Sequence, residues 1–417
     1  LARDFDLFRP SKLARKVIYS FIHSEAVAGR RKKIMRPLDG IRVIEMAGLA
    51  PSPYCGMILA DFGADVVVVD RLTTGMPEIP NVMPKNPFDR GKRSVRINLK
   101  KEAGISIIER MIESGDVLLE PYRPGVMESL GVGPEEALAL NPKLIYARLT
   151  GWGQSGPYAS MAGHDINYIA ISGALSLFRR EGEKPLPPCN LLGDFAGGGM
   201  LCALGILLAL VERSRSGQGQ VVDAAMVDGA SSLSTLFYGM LANHLMTLRI
   251  GTNVLDSGAP YYQVYETKDG GFMGVGAIEG RFYKELLKGL GVEPSTLPAQ
   301  NDMSKWPEMK TRFAKIFKSK TRDEWTAVFE GRDACVAPVL DLDEVDHHAH
   351  NRERELLMTV DGVLQPGPAP RLSRTPGAVE GPGTPRGSES VEILKELGYA
   401  DPDIETLLRD QVVEKAG

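Results

Sequence analysis

Short apolar runs alternate with amphipathic stretches along the first half of the chain. Residues 41–46, Ile-Arg-Val-Ile-Glu-Met, predict a buried strand. A loop over 48–53 follows, then a short apolar helix over 54–62 that Gly63 ends, then a second strand over 64–69 closed by Asp70 and Arg71. This βαβ unit implies a parallel sheet. The pattern continues with a helix over 102–114, strands over 117–120 and 144–149, a long helix over 197–213, a strand over 221–223 and a helix over 226–247. Near residue 250 it changes. Residues 260–278 predict short antiparallel strands around the turn Lys268-Asp-Gly-Gly271, and helices are expected over 279–290, 306–319 and 322–330. Residues 362–390 are rich in Pro and Gly and predict a linker, and 391–410 a final helical segment.

With 417 residues the chain is too long for one ordinary core, so two or three domains are expected. A hydrophobic share of 43% with 24% charged residues excludes a disordered chain. Basic residues number 49 and acidic ones 53; without a global positive field, nucleic acid is not an expected partner. The longest uncharged apolar stretch, residues 200–211, is shorter than the roughly 20 residues that a membrane span needs, so a buried helix and no membrane span are expected. Cys55, Cys189, Cys202 and Cys335 lie far apart, which fits a reducing compartment and excludes a zinc ribbon. Residues 1–34 hold nine Lys/Arg and three acids and start with Leu; the expectation is a basic extension, either targeting or non-native, outside the fold.

The first βαβ turn argues against a nicotinamide cofactor, because Gly48-Leu-Ala-Pro-Ser-Pro53 lacks the G-x-G-x-x-G fingerprint and its prolines remove backbone donors. Three stretches place ionisable residues among glycines. In Gly163-His-Asp-Ile-Asn-Tyr168 a histidine sits at a loop-to-helix junction, where free N–H groups can receive an oxyanion, though Asp165 also reads as a plain helix cap. In Gly193-Asp-Phe-Ala-Gly-Gly-Gly199 three glycines stand at a helix start, at about 1 kcal/mol each in helix propensity. That cost makes sense if something must approach the backbone closely. In Gly274-Val-Gly-Ala-Ile-Glu279 the glutamate also reads as an ordinary first-turn acid. Arg71, Arg90, Lys92, Arg93, Arg96, Lys100, Lys101 and Arg123 make a basic cluster near strand ends, either solvated surface or a site for a phosphate-bearing ligand. His347, His348 and His350 read as a polar helix end, and no metal site is expected.

From Met35 to about Val413 these motifs resemble α-methylacyl-CoA racemases of the family III CoA-transferase superfamily. Further matching stretches are Pro37-Leu-Asp-Gly-Ile-Arg-Val-Ile-Glu45, Leu59-Ala-Asp-Phe-Gly-Ala-Asp-Val66, Asp89-Arg-Gly-Lys-Arg-Ser94 and Glu120-Pro-Tyr-Arg-Pro-Gly-Val-Met127. Glu389 departs from the family's more usual His or Asp, and the terminal Glu-Lys-Ala-Gly is not the peroxisomal tripeptide that animal members tend to carry. The resemblance implies an α/β fold: a large Rossmann-like domain with a parallel sheet (35–225 and 371–417), a linker (226–260), an inserted smaller α+β domain (261–348) and a second linker (349–370). Two such chains would interlock as a homodimer.

The implied reaction is epimerisation of 2-methylacyl-CoA thioesters, (2R) to (2S), through an enolate, in branched-chain fatty acid and bile acid intermediate metabolism. The resemblance makes His164 and Asp194 the acid/base pair, with Glu279 orienting His164. Arg71, Arg96 and Arg123, with Ile97, Asn98, Leu99 and Lys100, are the residues expected to bind coenzyme A. Gly163, Asp165, Ile166 and Asn167 would surround the thioester, the Asp165 N–H receiving the enolate oxygen, and Tyr168 would line the pantetheine channel. Coenzyme A enters as part of the substrate and no cofactor is implied. The implied setting is peroxisome or mitochondrion, with the cytoplasm also open. The alternatives are a family III CoA transferase that uses Asp194 as nucleophile and an inactive acyl-CoA-binding paralogue. A histidine at 164, and Ala277-Ile-Glu279 where transferases carry a glycine-rich loop, favour the racemase.

Overall fold

A computed structural model describes residues 35–72, 83 and 85–416; the basic extension expected over 1–34 lies outside the described residues. Six parallel strands form the main sheet: β1 (Arg42–Met46), β2 (Asp65–Asp70), β3 (Arg93–Ile97), β4 (Val117–Glu120), β5 (Ile145–Thr150) and β6 (Gln220–Ala225). Their order is β3-β2-β1-β4-β5-β6, that of dinucleotide-binding sheets. A short strand from the far end of the chain, Val413–Glu414, joins β3 antiparallel.

The period of two in each strand divides the core. Ile44, Met46, Val67, Val69, Leu118 and Tyr146 face the helix Glu102–Ser114, and Ile393, Leu394, Ile404 and Val413 pack into the same cluster. Val43, Val66, Val117, Leu119 and Ala147 face the other way, towards the helices Pro51–Asp61 and Leu201–Ser216. A second, aromatic-rich core lies in 259–334. There the three-stranded antiparallel sheet of Tyr262–Glu266, Phe272–Gly276 and Val336–Pro338 meets the helices Gly280–Leu290, Trp306–Phe317 and Arg322–Phe329.

Several sequence expectations change. The first helix starts at Pro51 rather than residue 54, because proline suits the first helical position, where its missing N–H has no partner to lose. The helix expected over 226–247 is two, Met226–Leu233 and Thr235–Ala242, parted at Ser234, whose hydroxyl bonds back to the Ala230 carbonyl at 3.2 Å. The presumed linkers hold structure: Leu357–Val360 and Val363–Pro366 pair as a hairpin across Asp361 and Gly362, both at positive φ. A two-residue Asp-Gly turn matches strand twist. The 200–211 stretch is not a buried helix either. The helical run Leu191–Ser216 is long and apolar enough to cross a membrane by length and composition. One side, with Cys202, Ala203, Ile206 and Ala209, packs under the sheet, while Met200, Leu204, Leu208 and Val211 are exposed.

The cations buried in the fold, Arg90, Lys92 and Arg148, are paired. Lys92 Nζ reaches Glu45 Oε2 at 2.6 Å and the Pro53 carbonyl at 2.9 Å, with both side chains essentially unexposed. Burial pushes the Glu45 carboxyl above its usual range, and the Lys92 charge opposes that rise. Lys92 thus ties β1 to the start of the first helix. Lys92→Met should lower unfolding free energy by about 3–5 kcal/mol, because it strands a buried carboxylate, and Glu45→Leu in the same chain should restore most of it. Denaturant melts of the two variants check this.

Candidate active site

The sheet's carboxyl edge parts where the chain reverses between β1 and β4, the place at which open α/β sheets bind ligands. A cleft of about 480 Å³ lies there. Gly48, Leu49 and Pro51 come from the end of β1, Pro121 to Arg123 from β4, Thr150 to Trp152 from β5 and Met226 from β6. Into it also come Gly163, His164, Tyr168 and Asp194. A larger cleft of about 760 Å³ between 177–188 and 237–264 has no histidine in its lining.

His164 caps the helix Asp165–Ile171. Its side chain is exposed, and its N–H donates to Asn167 Oδ1 at 3.0 Å. Tyr168 anchors this turn: its hydroxyl donates to the Gly163 carbonyl, and its ring meets Trp152 edge-on at 4.8 Å. No Cβ fits at Gly151 or Gly163, because the Tyr168 ring occupies that space.

Asp194 sits in a π-helical segment, Leu191–Met200, that runs into Leu201–Ser216. Here the glycine triad finds its reason, and it is not a ligand. A Cβ on Gly197 would stand 2.8 Å from Ala230 N, one on Gly198 3.0 Å from Met226 Cγ, and one on Gly199 2.5 Å from the Pro51 carbonyl. The backbone comes this close to two of the protein's own helices. The Asp194 N–H donates to Asp165 Oδ1 at 2.7 Å, and its Oδ2 accepts from Asn190 Nδ2 at 3.0 Å. Burial pushes the Asp194 carboxyl up, the Asn190 bond lowers it, the Asp165 charge raises it and His164 lowers it, in that order of size, and the net direction is upward. A half-buried carboxyl whose protonated form is favoured in this way suits the delivery of a proton.

The basic cluster divides. Arg71 and Arg123 are exposed at the carboxyl edge, Arg123 in the cleft lining. Arg90 is buried against Asp61 at 2.6 Å, Lys92 against Glu45, and Arg93 bridges Asp65 and Glu396, so these are structural rather than ligand-binding cations. Arg96 pairs with Glu414 at 2.9 Å. Ile97 is a core residue and Leu99 packs against the core, so a ligand would meet their backbone; Asn98 Oδ1 accepts from Lys100 N–H, and Lys100 is exposed. Ile166 and Asn167 are exposed and outside the cleft lining. Glu279 is exposed too, preceding the helix Gly280–Leu290, and does not line the cleft that holds His164.

Sequence reasoning missed Asn190 and Trp152. Asn190 stands one helical turn before Asp194, a spacing that could have marked it. Trp152, flanked by Gly151 and Gly153, wedges between Tyr158 at 5.1 Å and Tyr168.

The model of CoA-transferase family III matches residues 38–390. The chain is 52% identical to the α-methylacyl-CoA racemase of Mus musculus over 90% of its own length and 97% of that protein's. Against the Homo sapiens protein of the same name identity is 49%, again over 90% and 97%. Among solved structures, Rv3272 from M. tuberculosis superposes with a TM-score of 0.73 at 27% identity, over 86% of this chain and 99% of that one.

Gly199→Ala should melt several degrees lower. A Cβ pressed on the Pro51 carbonyl costs about 1–3 kcal/mol, and each kcal/mol moves the melting temperature of a large domain by roughly 2–4 °C. Thermal melts at fixed protein concentration check it.

Proposed function

The chain belongs to CoA-transferase family III, and from that premise we propose that it is an isomerase that epimerises 2-methylacyl-CoA thioesters, (2R) to (2S). Identity of 52% and 49% to α-methylacyl-CoA racemases supports this. The observation that carries it is an imidazole and a half-buried carboxyl, His164 and Asp194, lining one cleft at the sheet's switch point. Inversion at an α-carbon needs two groups that exchange protons on opposite faces of a planar enolate. His164 takes the proton from one epimer while Asp194 returns one to the other face, and the roles reverse for the second epimer. The enolate oxygen needs a donor already in place. The Asp165 N–H, in the first turn of its helix and without an intrahelical acceptor, supplies it.

Arg71 and Arg123 meet the phosphates of coenzyme A along the carboxyl edge, Asn98 to Lys100 continue that surface, and Tyr168 and Trp152 line the path to the thioester. Coenzyme A enters as part of the substrate, and the proposed chemistry uses side chains alone. A nucleophilic Asp194, as in a transferase, fits less well, because the racemases are 52% and 49% identical to this chain while succinyl-CoA:D-citramalate CoA-transferase is 31% identical.

Two finer parts belong to the same proposal. The segment 261–348 acts as an inserted smaller domain, and two chains interlock so that Glu279 of one reaches His164 of the other. In support, Glu279 is exposed and outside its own chain's cleft, and the apolar faces at Leu204, Leu208 and Leu236 are uncovered. A setting in peroxisome or mitochondrion, within branched-chain fatty acid metabolism, follows from the kinship alone.

In deuterated water the protein should place deuterium at the α-carbon from either epimer. Mass spectrometry reads this out, and new CoA esters formed from an added carboxylic acid without α-exchange would establish the transferase instead. His164→Ala and Asp194→Ala should each lose a factor of roughly 10²–10⁴ in turnover while still binding coenzyme A. Co-expression of His164→Ala with Glu279→Gln should give differently tagged heterodimers with one intact site and up to about half of native activity. No rescue in those heterodimers would sink the shared site.

A further inference from the structure

Asp165 holds more than the N–H given to it above. Its side chain is buried, with the residue only 5% exposed. One carboxylate oxygen, Oδ1, accepts from the Asp194 N–H at 2.7 Å, and the other, Oδ2, is buried without a hydrogen-bond partner among the described residues. Gly193 makes room for it: a Cβ there would stand 2.5 Å from Oδ1 and 2.9 Å from the Asp165 Cγ. A carboxylate with a free oxygen, out of water and beside a second carboxyl, is an expensive arrangement. Its use as a first-turn acid does not require the burial, since an exposed acid serves a helix start equally well.

The other groups around Asp194 do not duplicate this effect. From its own helical run comes Asn190, which is neutral, and from the helix Asp165–Ile171 come Tyr168 and the preceding His164. Arg123 lines the same cleft from the end of β4. The helix Pro51–Asp61 brings Tyr54, whose ring meets Phe195 at 5.1 Å, and the helix Met226–Leu233 brings Met226, while its Asp228 is exposed. Of the two neighbouring charges that act on the Asp194 carboxyl, Asp165 is the negative one.

We propose that the Asp165 side chain is a positioning residue for Asp194: one oxygen fixes the backbone from which Asp194 projects, and its negative charge biases Asp194 towards the protonated form. Because this rests on the racemase reading, it assigns the shared proton of the pair. At rest it sits on Asp194 more than it would without Asp165.

Asp165→Asn separates the two effects, since its amide oxygen can still accept from the Asp194 N–H while the charge is gone. Asp165→Ser, a smaller uncharged acceptor, is the second variant should the first fold poorly. The reporter is the Asp194 carboxyl, titrated by infrared spectroscopy in the full-length protein and assigned by its loss in Asp194→Asn. Its midpoint should fall by about one pH unit in either variant, the scale of a close charge's influence. For the epimer from which Asp194 takes the proton, the acid limb of the kcat/KM profile for α-deuterium exchange should move down with it. Asp165→Ala, which also loses the acceptor, should turn over roughly 10²-fold more slowly, as displaced catalytic groups do. An unmoved midpoint in folded Asp165→Asn or Asp165→Ser would overturn the proposal, even if activity fell. Failure of wild-type α-exchange would overturn the racemase reading instead, and the infrared titration would still decide the role of Asp165.

Discussion

Two backbones without side chains set the spacing on which the site depends. A Cβ on Gly229 would lie 1.9 Å from the Gly197 carbonyl oxygen, so the helix Met226–Leu233 and the π-helical segment touch main chain to main chain. On its other side the same segment rests against Pro51 and Tyr54 through Gly199. Wedged between two helices, the segment cannot slide, and Asp194 inherits that fixity. Close packing of this kind tolerates little added volume. The wider turn of the segment suits a functional position, since π-helical turns often occur at such sites.

Electrostatics finishes what packing begins. The buried pairs Glu45–Lys92, Asp61–Arg90 and Glu120–Arg148 fix the strands and the first helix to one another. Their cations are already engaged, and Arg71 and Arg123 at the edge stay exposed. The basic residues between Arg71 and Arg123 therefore serve two purposes, one internal and one facing outward.

Much of this was legible in the sequence. The short apolar runs of β1, β2, β4 and β5 and the stop at Gly63 suffice for a parallel βαβ sheet, and His164 and Asp194 stood out among glycines. The glycine triad signalled close approach but not its partner, because Gly229 and Pro51 are distant in sequence and meet only in the fold. Charge identity likewise says nothing of burial, so Arg90 and Lys92 looked like Arg71. The half-exposed helix Leu201–Ser216 was misread because an apolar run cannot state whether its second face meets a core or is left uncovered. Asp165 was read as a helix cap and as a backbone donor but not as a partner of Asp194, since a side chain's neighbour across a turn leaves no mark on spacing.

The antiparallel strand Val413–Glu414 carries a consequence for biosynthesis. It covers the outer edge of β3, pairing Val413 with Ile97, and Arg96 and Asn98 reach across to the same stretch. During translation β3 leaves the ribosome long before its covering strand. At about 5–20 residues per second the interval is roughly 15–60 s. Throughout it a newly made sheet presents an open row of N–H and C=O groups, the kind of edge that pairs with other chains. Nascent copies on one polysome thus face a window for mispairing, which closes when residues 413–414 arrive. Holding chaperones that bind exposed strands would have their greatest effect on yield in that interval.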